Sequence, residues 1–384
     1  MTINFVALVL LVICLIDAYS RAVLLVKGRM DVLSEAEELD LQRQLATLNK
    51  PPIQTIHAPW GDIYDCIEFH KQPAFDHPLL KNHTFKMGEE IVSTKSPKLE
   101  MLTNQDAECP KGTIPIRRTT REDLIRTRSL SSNAAPDKQY RAGITYKAKG
   151  IGESIYGAGG LFNVWTPSVT QDQSSSTEIA VQSGSPEELN VIKYGWTVDQ
   201  ELYGNIITRS FAYWTGDGGK NTGCYNTLCS GFVQVHDKYT PDMPIYNTST
   251  ICGTQIALRV SIYLDRQTGR CYLTLLDSIQ IGYWPIELFP AFAPGATYIY
   301  WGGRVKAGKN GITPPMGSGR IPNEYPACSG FFQHLKYIDT NNQQLQPEQI
   351  EHIVECHEHY AAEYYPDDNI LHFGGDGGDN CSSN

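Results

Sequence analysis

The chain has 384 residues, 41% hydrophobic and 19% charged, enough to bury a substantial core and to hold two or three structural units. Its formal net charge of −10 offers no basic face to offset phosphate charge, which excludes broad binding to nucleic acid or to an anionic membrane. Gly (33), Pro (22) and Tyr (21) are plentiful. Helix formers thin out after residue 135, so most of the chain is expected to be short strands and turns.

Residues 5–16 are a short apolar run, followed by Ala18-Tyr19-Ser20 with small residues at the spacing a signal peptidase prefers. The run is too short for a membrane span and no second one follows. Residues 1–20 are therefore expected to be a signal peptide, giving a secreted product (extracellular, cell wall or vacuolar) with no membrane span after cleavage. Cys14 leaves with it, and the nine cysteines that remain are an odd number, so one stays free or pairs between chains. Asn82-His83-Thr84 and Asn247-Thr248-Ser249 are sequons, making Asn82 and Asn247 candidate glycosylation sites.

Residues 31–49 predict a helix. Ser34 can cap it with Glu37 completing a capping box, Leu41, Leu45 and Leu48 form one apolar stripe, and Lys50-Pro51-Pro52 ends it. Residues 63–69 alternate like a strand, and Cys109 to Arg118 form a short rigid segment. Residues 119–139 are polar and charged without apolar periodicity, which reads as an exposed linker and a candidate processing site. Short strands then follow at 142–146, 162–165, 178–181, 191–198, 206–213, 231–235, 256–263, 271–276, 279–283 and 298–305. So many short strands between turn clusters argue for antiparallel sheets in a sandwich or barrel. Two of them, 191–198 and 298–305, are alike, and each carries one long basic side chain in an apolar and aromatic setting: Lys193 and Arg304.

The motifs taken together resemble plant neprosin-family proteins. Cys66, the run Gln72-Pro73-Ala74-Phe75-Asp76-His77-Pro78-Leu79-Leu80-Lys81-Asn82-His83, and Cys109-Pro110-Lys111-Gly112-Thr113-Ile114-Pro115-Ile116-Arg117-Arg118 look like the family's activation peptide. Ile192-x-x-Gly195-Trp196, Tyr213-Trp214-Thr215, the run from Gly223 to Gln234, Gly282-Tyr283-Trp284-Pro285, Trp301-Gly302-Gly303 and Met316-Gly317-Ser318-Gly319 look like the neprosin domain. The resemblance covers the chain from roughly residue 39 onward. It implies a mainly β protein: an antiparallel β-sandwich over 140–384, preceded by a small pro-region with one helix and short strands (21–118) that packs on it. It also implies disulfides Cys66–Cys109, Cys224–Cys229 and Cys356–Cys381, leaving Cys252, Cys271 and Cys328 unassigned.

The family's activity is that of a glutamic peptidase cutting after proline. Such chemistry needs one carboxyl as general base for a water and a second to polarise the carbonyl and donate a proton. In the family one glutamate follows the Ile of the Ile-Glu-Ala-Gly-Trp motif and the other follows Trp-Gly-Gly. Those positions here are Lys193 and Arg304. Neither cation can accept a proton from water at acidic or neutral pH. The resemblance thus implies a catalytically inactive binding or decoy homologue, whose cleft would favour a peptide or an anionic, carboxylate-bearing ligand. The alternative is an active prolyl endopeptidase using substitute acids, for which Asp199, Glu201 and Glu287 are candidates.

Other constellations read as structural. Cys356, within Glu355-Cys356-His357-Glu358-His359, is claimed by a disulfide, and His357 and His359 do not share a helical face, so neither metal nor cofactor is expected. Gly216-Asp217-Gly218-Gly219 and Gly374-Gly375-Asp376-Gly377-Gly378 read as tight turns, not phosphate or calcium loops.

Overall fold

The computed structural model describes residues 34–81, 83, 95–96, 98–99, 108–132, 138–148, 153–322 and 325–381. The expected signal peptide (1–20) and the sequon asparagine Asn82 lie outside them. The described residues fall into two units, one ending at Ala46 and one beginning at Thr47, and the sheets described here lie in the second. The first helix, α1 (Glu35–Leu48), begins at the capping box read from the sequence. The Glu37 amide donates to Ser34 Oγ at 3.3 Å, and the Glu37 carboxylate accepts from the Ser34 amide at 2.7 Å.

The pro-region is a three-stranded antiparallel sheet in the order β1 (Gln54–His57), β2 (Ile63–Glu68), β3 (Thr113–Arg117). The stretch 119–139, expected to be an exposed linker, instead carries a helix, α2 (Arg121–Ser132). Thr120 and Asp123 form its capping box: the Asp123 amide donates to Thr120 Oγ1 at 3.1 Å, and the carboxylate accepts from the Thr120 amide at 2.8 Å. Leu124 is its one fully buried apolar side chain among those described, so no apolar stripe announces it. Charge holds it instead. Asp123, 1% exposed, accepts from Arg117 Nη2 at 3.3 Å and from Arg126.

The main-domain strands are β4 (Gln139–Lys147), β5 (Gly157–Asn163), β6 (Ser174–Ser183), β7 (Asn190–Asp199), β8 (Arg209–Thr215), β9 (Cys224–Tyr225), β10 (Val233–Gln234), β11 (Ala257–Asp265), β12 (Arg270–Leu275), β13 (Ile279–Pro285), β14 (Tyr298–Lys306), β15 (Gly330–Ile338), β16 (Gln344–Leu345), β17 (Ile350–Val354), β18 (Ala361–Tyr365) and β19 (Ile370–Gly374). A four-residue helix, α3 (Gln200–Tyr203), follows β7, and α2 packs against it. One sheet runs β17-β4-β14-β6-β7-β8-β9. The other runs β10-β13-β12-β11-β5-β15-β19-β18, with β16 paired to β15. All neighbours are antiparallel, and the two sheets make a β-sandwich.

Period-two alternation sorts the faces. Ile192, Tyr194, Trp196 and Val198 of β7 and Ile299, Trp301 and Val305 of β14 all enter the sandwich core. Two indoles tie the sheets together: Trp196 Nε1 donates to the Asn163 carbonyl at 2.8 Å and Trp301 Nε1 to the Gly159 carbonyl at 3.2 Å, both on β5. Each anchor is worth about 1 kcal/mol beyond its apolar burial. By fixing the register of β7 and β14, they fix which residues reach the opposite face.

Gly195 explains one feature of the sequence. A side chain there would drive Cβ to 1.8 Å from the Thr177 carbonyl, so the close approach is made by the neighbouring strand β6.

The pro-region packs on the main domain. Ile67, Phe69, Ala74, Ile114 and Ile116 share a buried cluster with Val233, Val235 and Tyr283. Gln72 does the work of a partner strand on the edge strand β10. Its Oε1 accepts from the Gln234 amide at 2.9 Å, and its Nε2 donates to the Gln234 carbonyl at 3.2 Å. Arg209, with no solvent exposure, donates from Nη1 to Asp62 Oδ2 at 2.6 Å. Burial works to raise the Asp62 pKa, but Arg209 and Arg117 outweigh it and hold the carboxyl below its usual value.

Among the described residues four disulfides close: Cys66–Cys109 within the pro-region, and Cys224–Cys229, Cys252–Cys328 and Cys356–Cys381 within the main domain. Cys271 is a buried free thiol, and burial pushes its pKa well up.

Candidate functional site

Lys193 and Arg304 lie on β7 and β14, with β6 between them. Ala180 of β6 stands opposite Lys193 and Ser176 opposite Arg304. The residue midway, Glu178, therefore faces both, on the surface turned away from the sandwich core. Both cations converge on one of its oxygens. Arg304 donates to Glu178 Oε1 from Nε at 2.8 Å and lies 2.7 Å from it at Nη2, while Lys193 Nζ stands 3.4 Å away. Glu178 is 1% exposed.

Sequence reasoning missed this carboxylate. A single charge in the run Ser174-Ser175-Ser176-Thr177-Glu178-Ile179 looks like an ordinary solvated strand residue, and only the pairing of β6 with both neighbours reveals its place. The row extends across the sheet. Arg141, opposite Arg304, is bound to Glu355 at 2.7 Å. On the other side, Lys193 Nζ sits 5.7 Å from the centre of the Tyr213 ring.

The electrostatics follow from this packing. Burial works to raise the Glu178 pKa, but Arg304 and then Lys193 outweigh it and hold it at about 2. Burial, and then Arg304, press Lys193 down to about 8 against the pull of Glu178. Arg304 resists burial because Glu178 faces it, and its pKa rises.

The cluster opens into a cavity of about 50 Å³, whose lining includes Gln139, Tyr225, Asp199 and Leu202. Arg304 Nη1 donates to Gln139 Oε1 at 3.3 Å. Asp199 caps α3 by accepting from the Leu202 amide at 2.9 Å, and burial lifts its pKa to about 6. It stands opposite Ser174, four residues along β7 from Gly195, which faces Glu178. At about 3.3 Å per residue the two carboxylates are roughly 13 Å apart at Cα. Glu201 is engaged by Lys306. Glu287 lies on the turn Ile286–Leu288 near His83 of the pro-region and does not line the cavity.

The remaining candidates are apart from this site. Asn247 is exposed in the loop between β10 and β11. Cys356 is held by its disulfide, and His359 Nε2 lies 2.6 Å from the Asp379 carbonyl. Among the described residues no three His, Cys, Asp or Glu side chains converge on a metal position. Asp217 accepts the amides of Lys220, Asn221 and Thr222, which makes the Gly216–Gly219 segment a self-bonded turn.

Residues 171–376, more than half of the chain, match the family model described as Neprosin. The chain belongs to the neprosin family. Residues 55–152 match the neprosin activation peptide, a match that runs through α2 and on beyond β4. Solved structures similar to this neprosin-family chain include scytalido-glutamic peptidase with a transition state analog inhibitor, at 9% identity over 62% of this chain and 98% of that one, with a TM-score of 0.37. Scytalido-glutamic peptidase with a peptide-based transition state analog is 8% identical with the same coverage and a TM-score of 0.34. SCP-B, a member of the eqolisin family of peptidases in complex with the tripeptide Ala-Ile-His, is 9% identical over 62% and 98%, also at 0.34.

Family and disulfides together mark a protein of the secretory route. Among the described residues no helix is long and apolar enough to cross a membrane.

Proposed function

We propose that this neprosin-family protein is a secreted binding homologue that does not hydrolyse peptides by the paired-glutamate route. The observation that carries this reading is the Lys193–Glu178–Arg304 cluster. The paired-carboxyl mechanism needs two carboxyls close enough to share a proton. By the family resemblance Lys193 and Arg304 stand at both glutamate positions. The one carboxylate between them is held at a pKa of about 2, too weak a base to take a proton from water.

One observation favours the rival reading of an active peptidase. Asp199, with a pKa near 6, borders the same cavity. Against it, Oδ1 is committed to the Leu202 amide, and a shared-proton dyad needs its carboxyls only about 3 Å apart.

The test is a cleavage assay on proline-containing peptides at acidic pH. The protein as it stands is expected to leave them intact. Restoring the two glutamates alone would put three carboxylates in one buried spot, so the informative variant is K193E/R304E/E178Q, expected to gain cleavage. Cleavage by the unaltered protein that persists in K193A and is lost in D199N would overturn the proposal in favour of the rival.

A further inference from the structure

The cavity beside Lys193 holds more positive than negative charge. Lys193 and Arg304 share one counter-ion, Glu178, leaving one positive charge over. Below about pH 6 the charges around it do not supply the difference. Arg141 is matched by Glu355, and Lys306 by Glu201. Asp199 is neutral below a pKa of about 6, and the Tyr225 phenol stays neutral because burial raises its pKa. The Lys193 and Arg304 side chains are both about four-fifths withdrawn from water, and charge so placed is normally compensated, so a surplus cation in a lined cavity calls for an anion.

Donor geometry agrees. An ammonium has three donors, and Glu178 engages Lys193 at a single oxygen 3.4 Å away. Tyr225 also lines the cavity. The hydroxyls of Ser176 and Thr197 already donate to backbone carbonyls, so an anion is received at the Lys193, Arg304 and Tyr225 side. The size is also restrictive. One water needs roughly 10–15 Å³ of such space, so a cavity of about 50 Å³ admits a group of about three or four heavy atoms.

We propose that this cleft binds a ligand carboxylate, held by Lys193 and Arg304 next to Glu178. The proposal rests on the non-hydrolytic reading of the same site and names its ligand chemistry. Acidic pH favours binding, since Asp199 gains charge above about 6 and Lys193 loses its own above about 8.

Isothermal titration of the full-length secreted protein tests it with four probes: an amidated peptide with one glutamate, the same peptide with glutamine, a galacturonate trimer and inorganic sulfate. Mass spectrometry of the same samples reads any cleavage. The glutamate peptide or the galacturonate trimer is expected to bind at least about tenfold tighter than the glutamine peptide, the worth of one charged hydrogen bond. Binding should weaken from about pH 6 as Asp199 ionises, and further toward about pH 9 as Lys193 deprotonates. K193M should lose the preference and K193R should keep it while losing the alkaline fall, with urea unfolding confirming that both fold.

Tighter binding of the peptide assigns the carboxylate to a protein, and tighter binding of the trimer assigns it to a glycan. Equal binding of the glutamate and glutamine peptides with no tighter binding of the trimer, binding of sulfate alone, or no binding of any probe overturns the carboxylate site without touching the non-hydrolytic reading. Cleavage of a peptide with the glutamate preference intact overturns that reading and leaves the site standing.

Discussion

Glu178 carries the stability of its two neighbours as well as its own charge. With Glu178→Gln, Lys193 and Arg304 remain largely withdrawn from water without a carboxylate, which should cost on the order of 2–3 kcal/mol in urea unfolding near neutral pH. The pH dependence has a definite sign. The folded pKa of Glu178 is depressed from 4.5 to about 2, so its contribution is present above about 4.5 and is lost as pH falls toward 2. Lys193, lowered from 10.5 to about 8, acts oppositely: its burial as a cation costs stability, and stability rises with pH between those values. The glutamine variant should lose the acid dependence, and unfolding curves taken across the acid range would show it. Lys193 and Arg304 were legible in the sequence because each interrupts a motif rich in aromatic and glycine residues. Glu178 was not, because a contact made across strand registers leaves no mark in one strand's own pattern.

At the scale of elements, α3 places a buried acid where it serves as a cap. Asp199 is raised from 3.8 to about 6, so stability falls as pH rises through that window and the full cost is present above it. Asparagine caps a helix as well as aspartate and carries no charge. Asp199→Asn should therefore stabilise the protein near neutral pH by about 2–3 kcal/mol, since each pKa unit is about 1.4 kcal/mol, and by almost nothing below the lower value. Denaturant midpoints at the two pH extremes would reveal the difference. Most strands from β4 to β14 were readable from β-branched and aromatic runs, but β9 was not, and β5 was read only at Phe162 and Asn163 because Gly157 to Gly160 carry no such side chains. Those from β15 to β19 were not, because Gln, His, Lys and Glu interleave with the aromatics in half-exposed strands such as Ile350–Val354. α2 escaped for a related reason: its Thr120-x-x-Asp123 cap was present in the sequence, but its buried contacts are ionic and follow no hydrophobic period.

Across the whole molecule, the activation peptide is joined to the sandwich by packing and by the chain itself, while each disulfide closes within one part or the other. An engineered protease site between α2 and β4, once cut, should give two pieces that co-elute on gel filtration and separate in denaturant. Pieces that separate without denaturant would show the packing to be too weak to hold them. Asp62→Ala should loosen the contact, because it strips the carboxylate from Arg209, at a cost on the order of 3 kcal/mol. Dissociation of the nicked variant at lower urea than the nicked parent measures it. The resemblance implied that the pro-region packs on the main domain, but the partners Asp62, Gln72, Arg209 and Gln234 were unreadable, since 147 residues separate Asp62 from Arg209 and 162 separate Gln72 from Gln234.

That separation has a direction in time. A ribosome emits Asp62 long before Arg209, at about 5–20 residues per second, so the acid is already made, within a sheet stapled by Cys66–Cys109, when the base arrives. Strand β8, which carries Arg209, can then close against a waiting counter-charge instead of burying a bare guanidinium. Swapping the order by circular permutation, with residues 47–132 moved to the C-terminus, would leave every contact available and remove only the head start. Slower or lower-yield folding of a permutant that ends equally stable would identify the activation peptide as a template for the fold.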